Sequence, residues 1–170
     1  MFGCRFGAIL IKSMYNNYLD ILVAAHSGGR WIVLLLLLVA IFKSATAGNR
    51  NFSNGDQKVG LFLMIATDLM LLVGLYLYFA GSWGGQLIQR SGGMGEVMKD
   101  STTRFYAVEH QVGMLLAIIL IHVGKAQSKK NLSHVLKHRR TFVYYLIALI
   151  LIIASIPWPF RQVGEGRGWF

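Results

Sequence analysis

The sequence predicts an all-α integral membrane protein, a four-helix bundle of up-down topology. Of its 170 residues, 55% are hydrophobic and only 14% charged, whereas an ordinary soluble domain carries about 25% charged residues. Four apolar stretches, about 19–42, 59–80, 105–124 and 141–158, also reach the roughly 20 residues that cross a bilayer as a helix. No linker between them is large enough for another domain, so residues 1–170 read as one transmembrane unit.

The first span is set by "HSGGRWIVLLLLLVAIF". Its apolar run from Trp31 to Phe42 is only about half of a crossing. The helix must therefore begin earlier and draw His26 and Arg30 into the membrane. The preceding "MFGCRFGAILIKS" is too short to span and has no clear small-residue cleavage site. Residues 1–13 read as an uncleaved interfacial helix, a weak signal sequence, or an extension upstream of a start at Met14. The second span carries Asp68 in "IATDLMLLVG". The third opens with Glu109 and His110 and continues with Gly113, Met114, Ala117 and Ile121 at helical spacing. That stripe suits either a flat macrocycle or a closely packed neighbouring helix. The fourth is stopped by Pro157 and Pro159, and Trp158, Phe160 and Trp169 suit the interface.

Charge sets the expected orientation. Seventeen Lys and Arg against seven Asp and Glu give a net charge of +10. Nine of these cations, from Lys43 to Lys58 and from Lys125 to Arg140, sit in the first and third linkers and their flanks. Short loops rich in Lys and Arg stay on the cytoplasmic side. Both termini and the glycine-rich second linker, which contains Trp83, Met94 and Met98 and can pack on the membrane surface, then lie on the periplasmic side of a bacterial inner membrane. The basic linker "SKKNLSHVLKHRR" reads as a solvated or headgroup-touching turn that includes His134 and His138. It has no nucleic-acid-binding fold around it.

A single cysteine, Cys4, excludes an intramolecular disulfide, a thiolate zinc site and covalently attached haem. No phosphate loop, hydrolase triad or metal-protease motif is present. The chemistry-bearing residues are those that lipid penalises. His26 and His110 lie at matching depths in the first and third helices, the arrangement by which four-helix b-type cytochromes hold a haem iron from both faces. His122, twelve residues beyond His110, is about 120° around the helix axis and has no inner-layer histidine to face. Arg30 and Asp68 would each be costly alone at such depth and are expected to pair. Glu109 is expected to meet Arg30 or to orient a histidine ring. Arg30, Asp68 and Glu109 thus form an expected buried polar network, with Arg30 also a propionate partner. Arg161 and Arg167 can reach propionates or, more commonly, lipid phosphates.

From Met14 to Phe170 the chain resembles a family of small four-helix membrane proteins, common among Bacteroidetes, that carry a "cytochrome b" label. The resemblance rests on "HSGGRW", "RFYAVEHQVGM", "IPWPF" and "GRGWF". It implies a haem b and electron transfer. Members often have a histidine near the position held here by Asp68, so this chain departs from the pattern there. The leading expectation is one haem between His26 and His110 near the periplasmic side, exchanging electrons with a quinone or a partner protein. The rival is a non-catalytic membrane subunit or assembly factor, alone, in a larger complex or as a homo-oligomer, whose polar network is structural.

Overall fold

Uninterrupted apolar sequence between polar linkers gives long helices, and the capping residues in the linkers fix where they start. A computed structural model describes the backbone of residues 2–165 and the side chains of residues 14–165. Among the described residues the regular structure is entirely helical. The four long elements are α1 (Phe2–Ala45), α2 (Asn54–Ala80), α6 (His110–Ala126) and α7 (His134–Ser155); α3 (Gly85–Arg90), α4 (Met94–Val97) and α5 (Ser101–Arg104) are short helices in the second linker. A π-turn, Phe105–Glu109, joins α5 to α6. Four candidate spans, one on each long helix, are long and apolar enough to cross a membrane, the first covering Met14–Ala45 of α1.

The helices extend beyond the apolar runs expected of them, for local reasons. Ser53 starts α2 with a capping box, its side chain accepting from the Asp56 backbone N–H while Asp56 accepts from the Ser53 backbone N–H. Ser133 caps α7 through the Leu136 backbone N–H, so the polar "HVLKHRR" is helical although it lies outside the apolar run. At the other end α7 stops at Ser155, two residues before Pro157 and short of the expected end at about 158.

Consecutive elements meet end to end. The Tyr15 hydroxyl donates to the Ala80 carbonyl at 3.3 Å, and Lys43 pairs with Asp56 at 3.3 Å, so α1 and α2 touch at both ends. Lys125 donates to the Gln57 carbonyl and His110 meets the Ser155 carbonyl, tying α6 to its neighbours in the same way. Residues 81–104 close one end of the bundle, the capped end. The opposite end carries the two basic linkers and is the basic end.

Packing is tightest between α6 and α7. Gly113, Ala117, Ile121 and Gly124 meet Tyr145, Ala148, Ile152 and Ser155, with each set repeating every three or four residues. A Cβ on Gly113 would overlap the Ser155 Oγ. The small-residue stripe on α6 is therefore spent on helix packing and does not make room for a macrocycle. Leu37 and Leu63 complete a core in which both are fully buried. Phe42, Phe62, Leu72, Phe79 and Ile150 cover the outer faces. Such faces are the surface that helices present to lipid tails.

The basic end is more ordered than a solvated turn. His138 is buried against the Phe52 ring, with centroids 4.8 Å apart, and His134 Nδ1 accepts from the Phe52 backbone N–H at 2.9 Å. Both histidines thus bind the first linker to α7; His138 is buried, which corrects the expectation of a solvated or headgroup-touching turn for that residue, whereas His134 is exposed. In the second linker Trp83 lies against Tyr106, with ring centroids 5.0 Å apart, and Trp83, Met94 and Met98 are all exposed.

Candidate functional site

A cavity of about 580 Å³ occupies the half of the bundle nearer the capped end, where α2 and α6 separate. Asn16, Asp20, Ser82, Trp83 and Gln111 line its polar mouth, and Val33, Thr67, Ile118 and Ile152 line its apolar floor. Between them, His26 and Arg30 of α1 face Gly74 and Tyr78 of α2 and His110 of α6. Leu75 and Leu115 line the cavity and are also exposed, so it opens sideways between α2 and α6.

The two histidines singled out from the sequence come together here. Their ring centroids are 6.4 Å apart at an interplanar angle of 71°. A metal–imidazole bond is about 2 Å, so rings bound to opposite sides of one metal have centroids a little over 6 Å apart. The centroid spacing matches that distance. His110 Nδ1 lies 2.7 Å from the Ser155 carbonyl oxygen. A carbonyl only accepts, so Nδ1 carries a proton; in the neutral ring Nε2 then keeps its lone pair, the state a metal-binding imidazole needs. His26 is seated by a missing side chain: a Cβ on Gly74 would stand 3.0 Å from its Cε1 and 3.7 Å from its Nδ1. That Nδ1 is buried and makes no hydrogen bond among the described residues.

The π-turn acts on this geometry directly. It is the last turn before His110, and the His110 backbone N–H reaches back to the Phe105 carbonyl. One extra residue in a turn rotates the downstream helix by about 100°. α6 can thereby keep Gly113 against α7 and His110 toward Ser155, while Phe105 and Tyr106 are buried under the cap.

The expected polar network separates into independent pairs. Arg30 does not meet Asp68; its guanidinium carbon lies 5.4 Å from the Trp31 ring centroid and 6.0 Å from that of Trp158, in cation–π range. Asp68 instead pairs with His122, Oδ1 to Nε2 at 3.2 Å. Glu109 pairs with Arg104 at 2.6 Å on the surface, so it neither meets Arg30 nor orients a histidine. Arg161 donates to the Ala154 and Ile156 carbonyls at 2.6 and 3.1 Å and covers the Phe105 ring, capping the end of α7. Arg167 and Trp169 lie outside the described residues.

Gly74 and the Ser155 carbonyl are site residues that the sequence did not reveal. A glycine in an apolar run looks like ordinary helix packing, and a carbonyl has no sequence signature. Among the described residues no group of three or more His, Cys, Asp or Glu is placed to hold a metal ion, so a metal here would depend on the two imidazoles. No family model, curated protein or solved structure matches this chain.

Proposed function

We propose that this multi-pass membrane protein is a small b-type cytochrome of the family its motifs resemble, with one haem held by His26 and His110. The observation that carries this reading is the pair of imidazoles across the cavity, 6.4 Å apart, one with its Nδ1 committed to a backbone carbonyl. Haem when bound supplies one-electron chemistry. The chain's part is to fix both rings, keep the site apolar and present a cation. Gly74 seats His26, the Ser155 carbonyl sets the His110 tautomer, and Arg30 between Trp31 and Trp158 offers positive charge to a propionate.

The concentration of Lys and Arg at the basic end supports reading that end as the cytoplasmic one. The helices then run up-down with both termini and the haem near the periplasmic face of a bacterial inner membrane. The sideways opening between α2 and α6 suits exchange of electrons with a quinone dissolved in the bilayer, or with a membrane partner seated over it. Purified protein in detergent should show a haem spectrum that changes on reduction, and His26→Ala and His110→Ala should each lose most of it. Protein without haem absorbance, or haem retained in both variants, ends this reading in favour of a structural subunit.

A further inference from the structure

The segments 43–58 and 125–140 carry nine cations and a single acid, Asp56. Asp56 is taken up by Arg50 and Lys43 on the α1–α2 side of the basic end. The other side, where α6 turns into α7, holds Lys125, Lys129, Lys130, Lys137, Arg139 and Arg140 and no acid. Among the described residues none of these six cations pairs with a carboxylate.

Two of them are fixed in place, which ordinary surface lysines are not. α6 runs into a 3-10 turn, Gln127–Lys129, whose Ser128 is buried and donates its hydroxyl to the Lys125 carbonyl at 2.8 Å. The Lys125 ammonium donates to Ser128 Oγ at 3.5 Å and to the Gln57 carbonyl of α2 at 3.0 Å. The Lys137 ammonium, from the first turn of α7, donates to the Ser128 carbonyl at 3.1 Å. Both ammoniums therefore converge on one buried serine. An ammonium has three N–H donors, so Lys125 keeps one and Lys137 two for an acceptor from outside the chain. Lys129 adjoins Ser128, and Arg140, three residues beyond Lys137, shares its side of α7. Both of these are exposed.

The acceptor that suits such a cluster offers several oxygens and net negative charge, as phosphate does. A zwitterionic headgroup also has a phosphate, but its own cation would find no carboxylate here, so a net anionic headgroup is favoured. Position selects a lipid over a dissolved ion. Lys125 and Lys137 stand near the ends of two spans. Exposed Ile119 and Val143 lie six residues from them on the same helices, about 9 Å toward the membrane interior at 1.5 Å per residue. Fixed cations at the surface with apolar side chains beneath match the two parts of a phospholipid.

We propose that the turn between α6 and α7 binds the phosphate of an anionic phospholipid, with Lys125 and Lys137 as its fixed donors and Lys129 and Arg140 as its outer cations. The proposal rests on the chain crossing the bilayer and is independent of haem. Its test is native mass spectrometry of the full chain in detergent, titrated with phosphatidylglycerol or phosphatidylcholine. The wild type should retain phosphatidylglycerol in preference to phosphatidylcholine. One Lys or Arg near an anionic surface contributes about fivefold in affinity, so Lys125→Gln combined with Lys137→Gln should weaken phosphatidylglycerol binding by about tenfold or more. Lys99→Gln, at the capped end, should leave it unchanged. Equal retention of the two lipids overturns the proposal. So does binding that the double variant leaves unchanged, or that Lys99→Gln weakens as much. If the double variant does not fold, Lys129→Gln combined with Arg140→Gln, both at exposed positions, decides in the same way. Displacement of the lipid by millimolar inorganic phosphate or by poly-glutamate would assign the turn to a free anion or an acidic protein segment, and also overturns it.

Discussion

Replacing Gly113 with alanine tests whether α6–α7 contact holds His110 in place. The new Cβ would overlap the Ser155 Oγ and lie 3.1 Å from the Ser155 Cβ. Overpacking of this kind costs about 1–3 kcal/mol, while alanine in place of glycine within a helix returns about 1 kcal/mol. The single variant alone is therefore ambiguous. Ser155→Ala removes the overlapping oxygen and leaves the 3.1 Å contact, which a shift of a few tenths of an ångström relieves. It leaves the Ser155 carbonyl, and hence the partner of His110, intact. A double-mutant cycle cancels the propensity gain, because that gain is the same in both backgrounds. The expected coupling is about 1–2 kcal/mol, with Gly113→Ala less damaging when Ser155 is already alanine. Thermal or denaturant unfolding in one detergent measures it. Coupling of less than about 0.3 kcal/mol, the scatter of independent sites, would refute the claim that this contact sets the helix separation.

Two further outcomes concern the basic end and the orientation. Asp56 accepts from both guanidinium nitrogens of Arg50 at 2.7 and 3.1 Å, pairs with Lys43 and closes the α2 capping box. Asp56→Ala should cost about 1–3 kcal/mol in unfolding assays, and a change below about 0.5 kcal/mol, the range of ordinary surface substitutions, would remove Asp56 from its place as the clamp between α1 and α2. Met98, exposed at the capped end, can report sidedness once Cys4, the chain's single cysteine, is replaced by serine. In Cys4→Ser with Met98→Cys a membrane-impermeant maleimide should label intact spheroplasts; labelling only after lysis would reverse the proposed orientation.

The four spans were readable because burial in lipid demands long apolar runs, but several of their ends were not, since polar caps such as Ser53 and Ser133 carry the helices past the apolar residues. The meeting of His26 with His110 was also readable, since depth along each helix comes from counting residues. What depth could not give was rotation. Arg30 and Asp68 look complementary by charge, yet partners are set by which face each helix turns inward, and Asp68 faces α6 and its His122. The Glu109 assignment failed for a related reason. It assumed an unbroken α-helix through residues 105–110, and the π-turn changes the phase at that step. The same limit applied to Gly113, whose neighbour in space is Ser155 of a different helix.

That turn also loosens the link between chain length and site geometry. α6 is held in phase from its far side, by Ser155 on His110 and by the contacts of Gly113, Ala117 and Ile121 with α7. A π-turn holds one residue more than the α-turn it replaces. Losing one residue between Phe105 and Glu109 would let the turn close with ordinary α-helical bonding, and the resulting rotation of about 100° would fall on α5 and the loop before it. A family of such chains could therefore lengthen or shorten its cap by single residues while the histidine beneath it keeps its aim.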